Sequence, residues 1–294
     1  MDIKDDFYKR FLREGGMAED FFIPCTVPLI GGWENSSATV TLNLSFGTHI
    51  AVRHRTDGRI TIADSLSDID YESNFSDLSV MDFPKWVKDI ISSANKIPKT
   101  ENGFEMLICS DIFSSFFESR ILSAKKALKE VFAPEISDIS LLNSEPFYRI
   151  APFLPAALVA VNSLTLEVLT YPFTQKNTKA VIVLTSPQKL SVPDGFLFKE
   201  RNRLKKFSSA VDLFPLMQES RTDLAYSIKH SDIESLVNSA ADFTEDFNIL
   251  PAFSGIVAFL EDGKIDSFIE VLTSRHEKKT GEKPAFYISD IETE

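Results

Sequence analysis

Apolar and polar residues alternate over a long stretch between residues 40 and 52. A period of two places the apolar side chains on one face of a strand, so the pattern predicts a long, half-buried β-strand. Its apolar members are Val40, Leu42, Leu44, Phe46, Ile50 and Val52. Gly47 interrupts the alternation and predicts a bend or bulge. The Asp57-Gly58 pair is typical of a tight turn and predicts a hairpin with an antiparallel partner strand over residues 59–63.

Helical and strand patterns interleave along the rest of the chain. Apolar residues recur at helical spacing over residues 3–12, 84–97, 117–131, 196–214, 233–241 and 265–278, with a helix stop at Lys279-Thr280-Gly281. Apolar strand patterns occur at residues 104–109, 157–161, 166–171, 180–184, 255–260 and 285–289, and a Ser/Asp-rich stretch at 64–82 predicts a polar loop. Because the elements do not follow a strict βαβ rhythm, we expect an α+β fold rather than a doubly wound parallel sheet.

Charge and cysteine content exclude several classes of function. The chain has 31 Lys and Arg residues against 43 Asp and Glu residues, a formal net charge of -12, so we expect no nucleic-acid partner. No apolar run approaches the roughly 20 residues that cross a bilayer, and the first residues lack a signal-peptide pattern, so we expect a cytoplasmic protein with no membrane partner. Two cysteines, Cys25 and Cys109, and four scattered histidines predict reduced thiols and no metal site.

One dense run of basic residues lies within the pattern at 196–214. On a helix, most of these side chains would form a solvated face, and the alternative is a modest site for an acidic partner. The residues are Lys199, Arg201, Arg203, Lys205 and Lys206.

Several segments together resemble one family of enzymes. They are residues 24–35 (PCTVPLIGGWEN), 39–60 (TVTLNLSFGTHIAVRHRTDGRI), 103–111 (GFEMLICSD), 157–173 (ALVAVNSLTLEVLTYPF) and 253–289, which begins FSGIVAFLEDGK. Their order and spacing resemble the galactokinases of the GHMP kinase superfamily (galactokinase, homoserine, mevalonate and phosphomevalonate kinases). The resemblance implies a two-domain α+β GHMP-kinase fold, with a ribosomal-S5-like N-terminal domain (residues 1–175), a ferredoxin-like C-terminal domain (residues 176–294) and a ligand cleft between them.

The first segment lies over the sugar-binding signature of the family, commonly APGRVNLIGEHTDYN, yet differs from it at the residues that contact ligand. The transition-state arginine of the family falls on Thr26, and its sugar-binding glutamate falls on Gly32. A hydroxyl cannot replace a guanidinium, which carries a permanent charge and five donors. The resemblance still places an aromatic ring, a carboxylate and an amide where a sugar would bind, which is a suitable carbohydrate platform; the alternative is a packed loop. These candidate substrate-binding residues are Trp33, Glu34 and Asn35.

The second segment leads into the glycine-rich phosphate loop of the family, GDIPxGAGLSSS, which falls on residues 110–121, SDIFSSFFESRI. Glycines let backbone N–H groups approach an anion at the start of a helix, whereas Phe113, Phe116 and Phe117 stand there in this chain. Glu118 would add a carboxylate where a phosphate would bind. We therefore expect no cofactor. The degenerate loop keeps hydroxyl groups, which are either phosphate contacts or solvated loop side chains, on Ser110, Ser114, Ser115 and Ser119.

No catalytic residue is predicted, because the catalytic aspartate of the family falls at about Pro146. Glu145 is the nearest acidic neighbour and is one candidate for a surrogate base. Asp111 is the other candidate, as a ligand for a metal or phosphate, although an Asp between a strand and a helix more often caps the helix. The last glycine-rich motif of the family is also lost, because residues 250–255 read LPAFSG.

The chain keeps the order and spacing of the family's segments but lacks the residues that carry the family's chemistry. This combination predicts a pseudokinase, a galactokinase-like protein that senses a monosaccharide or binds a protein. The alternative is an ATP-dependent sugar 1-kinase of the galactokinase type with a rebuilt active site, and ATP and Mg²⁺ are expected only in that case. A third possibility is a structural or oligomer-forming protein whose cleft is filled. The sequence does not identify a protein partner.

Overall fold

Strand β2, Ala38–His54, confirms the long strand predicted from the alternating pattern. The computed structural model describes residues 2–12, 16–31, 38–65, 67–75, 82–111, 119–138, 147–162, 165–173, 177–185, 194–206, 213–227, 231–245, 249–252 and 255–291. The chain divides into two compact units, residues 1–25 with 46–145 (the first unit) and residues 26–45 with 146–294 (the second unit). Strand β1, Glu19–Gly31, and β2 contribute residues to both units. The predicted domains, residues 1–175 and 176–294, divide the chain differently and stay a prediction.

The first unit packs helices against a mixed sheet. Its further strands are β3 (Arg59–Asp64), β4 (Asp70–Asn74) and β5 (Phe104–Ser110), and its helices are α1 (Ile3–Phe11), α2 (Lys85–Ala94) and α3 (Ser119–Phe132). The strand order is β4-β3-β5-β2, in which only the β3–β5 pair is parallel. Ile3 and Phe7 of α1 are buried against Ala51, Ala63 and Leu107 of the sheet. The apolar face of the N-terminal helix thus closes one side of this core.

The hairpin predicted at Asp57-Gly58 is wrong in its strand pairing. Strand β5 lies between β2 and β3 and pairs with both of them. At the turn, the N–H groups of Arg55 and Gly58 donate to the carbonyl oxygens of Gly103 and Asn102, at 2.9 Å each. In a hairpin, these N–H groups would bond across the turn to the partner strand. Here they bond instead to the residues that lead into β5.

The second unit contains the remaining elements. Its strands are β6 (Leu158–Asn162), β7 (Glu167–Tyr171), β8 (Thr178–Leu184), β9 (Ile249–Ala252), β10 (Gly255–Glu261) and β11 (Ala285–Asp290). Its helices are α4 (Asp194–Lys206), α5 (Leu213–Ser227), α6 (Ser231–Ala240) and α7 (Ile265–Thr280). β6 pairs antiparallel with residues 38–42 of β2 and with β7, while β8 to β11 form an antiparallel sheet of order β11-β8-β10-β9. Helices α6 and α7 bury Leu236, Phe268 and Leu272 against this sheet.

The structure corrects two further predictions of elements and confirms the fold class. The single helix predicted over residues 196–214 is described as two helices, α4 and α5, with residues 207–212 outside the described part of the chain. The polar loop predicted over residues 64–82 contains strand β4. The mixture of helices and of mainly antiparallel strands is the α+β class that was predicted. Within the described ranges, no helix combines the length and apolar character needed to span a bilayer.

Candidate functional site

The candidate site lies where β5 ends, beside the middle of β2. Strand β5 ends at Ser110 and helix α3 begins at Ser119, so the elements on both sides of the degenerate phosphate loop are described. Most of the predicted site residues, however, fall outside the described part of the chain. They are Trp33, Glu34, Asn35, Ser114, Ser115 and Glu145.

Asp111 is bonded to β2. Its Oδ2 accepts the backbone N–H of Gly47 at 2.8 Å, and its own N–H donates to the Gly47 carbonyl at 3.0 Å. A carboxylate that accepts a backbone N–H forms a charge-assisted hydrogen bond, which fixes the end of β5 against β2. The carboxylate therefore has a partner in a strand, and its predicted role as a cap of α3 stays a prediction.

The backbone of β1 passes directly over Gly47. A Cβ atom at this position would lie 2.2 Å from the Ile23 carbonyl oxygen and 2.8 Å from the Pro24 Cα atom. The sequence predicted a bend or bulge at this glycine, which stays a prediction; the structure shows that the backbone of another strand approaches too closely here for any side chain.

His49 lies beside Asp111 at the same edge of the site. Its Nε2 is 3.5 Å from Asp111 Oδ2, and the two side chains are 30% and 37% exposed. The ring centroids of His49 and Phe22 are 4.7 Å apart. An imidazole next to a carboxylate can take part in proton transfer. Among the described residues at the end of β5, His49 and Asp111 are therefore the candidates for acid–base chemistry.

Ser110 turns its hydroxyl toward a neighbouring strand. The residue is buried, and its Oγ lies 3.3 Å from Thr48 Oγ1, with either hydroxyl able to donate. A phosphate at Ser110 would have to take the place of this contact. Ser119 is the first residue of α3, and its side chain is outside the described part of the structure.

A second group of residues was missed from the sequence. In the second unit, Glu200 Oε2 accepts the N–H of Gly31, the last residue of β1, at 2.6 Å. Arg203 is ion-paired with Glu200 on the same helix, and the two side chains are 5% and 1% exposed. Arg203 was predicted to lie on a solvated basic face, which is wrong for this residue, whereas Lys205 and Lys206 are exposed as expected. The spacing of Glu200 and Arg203, three residues apart on one helix, was the available signal.

One cleft of the first unit is lined by charged side chains that pair with other residues of the protein. This cleft, of about 410 Å³, is lined by Arg10, Arg55 and Glu105, among others. Arg10 pairs with Asp70, and Arg55 pairs with Glu105. Among the residues that the structure describes, no group of three or more His, Cys, Asp or Glu side chains could hold a metal ion.

Comparison with known proteins relates the chain to a group of small-molecule kinases through its fold. No protein-family model matches the sequence, and no curated protein matches it significantly. Among solved structures, Lactococcus lactis galactokinase complexed with galactose matches with a TM-score of 0.74 and 16% identity, covering 99% of this chain and 97% of that one. Methanococcus jannaschii mevalonate kinase matches with a TM-score of 0.63 and 14% identity, covering 95% and 99%.

Homoserine kinase from Cytophaga hutchinsonii also matches, with a TM-score of 0.63, 13% identity and coverage of 94% of this chain and 96% of that one. Because these alignments run over nearly the whole of both chains, they establish a shared fold. Identities of 13% to 16% leave the chemistry of the site open. The chain therefore has a GHMP-like kinase fold, as the sequence resemblance implied.

Proposed function

We propose that this chain is a galactokinase-like protein that has lost phosphoryl transfer and acts as a sugar-sensing or protein-binding module. The observation that carries the proposal is the sequence of the phosphate loop, residues 110–121, which contains no glycine although the strand and the helix around it are kept. Binding of a triphosphate at a helix start depends on backbone N–H groups that bulky side chains do not obstruct. Three phenylalanines and Glu118 in this loop oppose such binding.

The contacts at the start of the loop support the same proposal. Asp111 is hydrogen-bonded to Gly47, and Ser110 contacts Thr48, so both polar side chains are already engaged by β2. Phosphoryl transfer relies almost entirely on positioning and on charge stabilisation around the transferred group. At the sugar motif, the position of the transition-state arginine is held by Thr26, which carries no charge.

The alternative function is an ATP-dependent sugar 1-kinase of the galactokinase type with a rebuilt site. One observation favours it: the partly exposed His49 and Asp111 at the end of β5 form an acid–base pair near the loop. In such an enzyme, this pair or Glu145 would accept the proton of the sugar hydroxyl, and ATP with Mg²⁺ would be required.

Thermal unfolding in the presence of ligands separates the two functions. A ligand at 100 times its Kd stabilises the folded state by about 2.7 kcal/mol, which corresponds to a rise in Tm of about 4–5 °C for a chain of this size. We expect galactose to raise the Tm and Mg²⁺-ATP to leave it unchanged. Because sugars at high concentration stabilise any protein by exclusion from its surface, sorbitol at equal concentration is the control. Trp33→Ala should abolish the shift that is specific to galactose.

A phosphoryl-transfer assay tests the alternative function, the ATP-dependent sugar kinase, directly. Transfer from ATP to galactose at a rate that is lost in Glu145→Gln or Asp111→Asn would establish the alternative function. If galactose and sorbitol give equal shifts, sugar sensing is rejected and the protein-binding role is what remains of the proposal.

A further inference from the structure

We propose that the cleft of about 410 Å³ in the first unit binds a small zwitterion, an α-amino acid with an apolar side chain. The cleft is lined mostly by residues from the end of α1 and from strands β3 and β4. It contains none of the residues on which the proposed function depends, so the two sites can be tested separately.

Two opposite charges in this cleft are left without a protein partner. Of its six charged side chains, four form the two ion pairs described above. The other two, Arg59 and Glu72, are exposed, and neither has an ion-pair partner within the described ranges of the chain. The cleft therefore offers one guanidinium for a carboxylate and one carboxylate for an ammonium group.

The strand register brings these two charges to one place. Thr61 of β3 lies directly opposite Glu72 of β4, and Arg59 precedes Thr61 by two residues, so all three share one face of the sheet. Side chains directly opposite each other have Cβ atoms about 5 Å apart, and diagonal neighbours lie about 7–8 Å apart. Arg59 and Glu72 are thus close enough to bind the two ends of one small molecule.

The hydroxyl of Thr61 is a separate observation that points to a ligand. Thr61 lines the cleft and is only 7% exposed, yet its hydroxyl has no hydrogen-bond partner among the residues that the structure describes. Buried polar groups in native proteins almost always have a partner. A carboxylate or an ammonium group bound between Arg59 and Glu72 would supply one.

The remaining lining selects the class of zwitterion. Three arginines balance three acidic residues around the cleft, so it carries no net charge and does not favour a simple anion. A guanidinium binds a carboxylate through two parallel hydrogen bonds, which suits Arg59 to the carboxylate end. Phe11 and Leu12 add apolar surface, and Leu12 is 67% exposed. An apolar side chain on the ligand would cover Leu12 and so stabilise the complex.

Calorimetric titration of the full chain with L-leucine and with L-methionine tests the site. L-Leucinamide, which lacks the carboxylate, and N-acetyl-L-leucine, which lacks the ammonium group, are the matched control ligands. We expect L-leucine to bind, and the Kd of each control ligand to be at least about tenfold higher, because each loses one charge-assisted interaction. If neither amino acid binds, or if either control ligand binds as tightly as L-leucine, the inference is overturned.

Substitutions locate the bound amino acid in the cleft. We expect Arg59→Gln and Glu72→Gln each to raise the Kd for L-leucine about tenfold, and Thr61→Val to raise it about fivefold. Arg59 and Glu72 are exposed, so these two variants should fold like the parent. The matched control is Glu135→Gln, an exposed acidic residue of the same unit outside the cleft, which should leave the Kd unchanged. An unchanged Kd in Arg59→Gln and Glu72→Gln, or an equal rise in Glu135→Gln, would overturn the inference.

Discussion

Two hydrogen bonds hold Gly47 of β2 against Asp111 at the end of β5. The sequence identified Gly47 and Asp111 as unusual positions, and the structure joins them in one backbone and side-chain contact. Neither position reveals the other in the sequence, because 64 residues separate them. The resemblance to a kinase family pointed to this region, but the pairing of Asp111 with His49 depends on the register between β2 and β5.

At the residue scale, we expect Gly47→Ala to destabilise the protein by about 3 kcal/mol, because the new Cβ would clash with backbone atoms of β1, and a strand backbone shifts less easily than a flexible side chain. The measurement is the free energy of unfolding from urea titration. Gly263→Ala is the control, since a Cβ at Gly263 meets nothing within 4 Å, and it should change stability by less than about 0.5 kcal/mol. Similar values for the two variants would contradict the close approach of β1 at Gly47.

At the scale of elements, periodicity located most helices and strands but not their partners. The patterns at 104–109 and 265–278 correspond to β5 and α7, because each element shows its period within a short window. The insertion of β5 between β2 and β3 could not be predicted, since a strand pattern does not specify which strand it pairs with. The predicted hairpin followed a local turn signal, and long-range pairing overrode it.

The end of α7 is an element boundary that the sequence did predict. Gly281 has a φ of 80°, and its N–H donates to the Glu277 carbonyl at 2.8 Å, which closes the last turn. Gly281→Ala should cost about 1 kcal/mol, because an L-residue resists the left-handed conformation. Gly195→Ala, in the first turn of α4 with nothing within 4 Å of the new Cβ, should be neutral or stabilise by up to about 0.5 kcal/mol. Calorimetric Tm values check both, and a loss of stability in both variants would contradict the assignment.

For the molecule as a whole, three carboxylates with lowered pKa values predict how the free energy of unfolding depends on pH. The pKa of Asp57 is held well below its usual range by hydrogen bonds from Arg55, and the pKa of Asp20 is lowered by its hydrogen bond with Lys4. The pKa of Glu130 is also lowered: burial alone would raise it, and the bonds from Lys126 and Lys129 outweigh that effect. All three carboxylates belong to the first unit.

Because these folded-state pKa values lie below the unfolded values of about 4, their stabilisation is present above pH 4 and is lost as the pH falls further. We expect the free energy of unfolding to decrease from about pH 5 toward pH 2. Asp57→Asn should lower stability at pH 7 by about 0.5 kcal/mol, since the pair with Arg55 is largely exposed, and should reduce this decrease. In 1 M salt, the difference from the parent should shrink. A difference that grows as the pH falls would contradict the prediction.

The sequence by itself determined the α+β class, the long strand β2 and the loss of glycine from the phosphate loop, because each of these follows from residue types and their spacing within a short stretch of chain. Tertiary structure alone decided that β5 separates β2 from β3, that Asp111 binds Gly47 and that Glu200 reaches Gly31. The physical reason is distance along the chain. Local patterns constrain backbone conformation and burial. A contact between residues that are far apart in sequence depends on how all the helices and strands pack together, which no short stretch of sequence specifies.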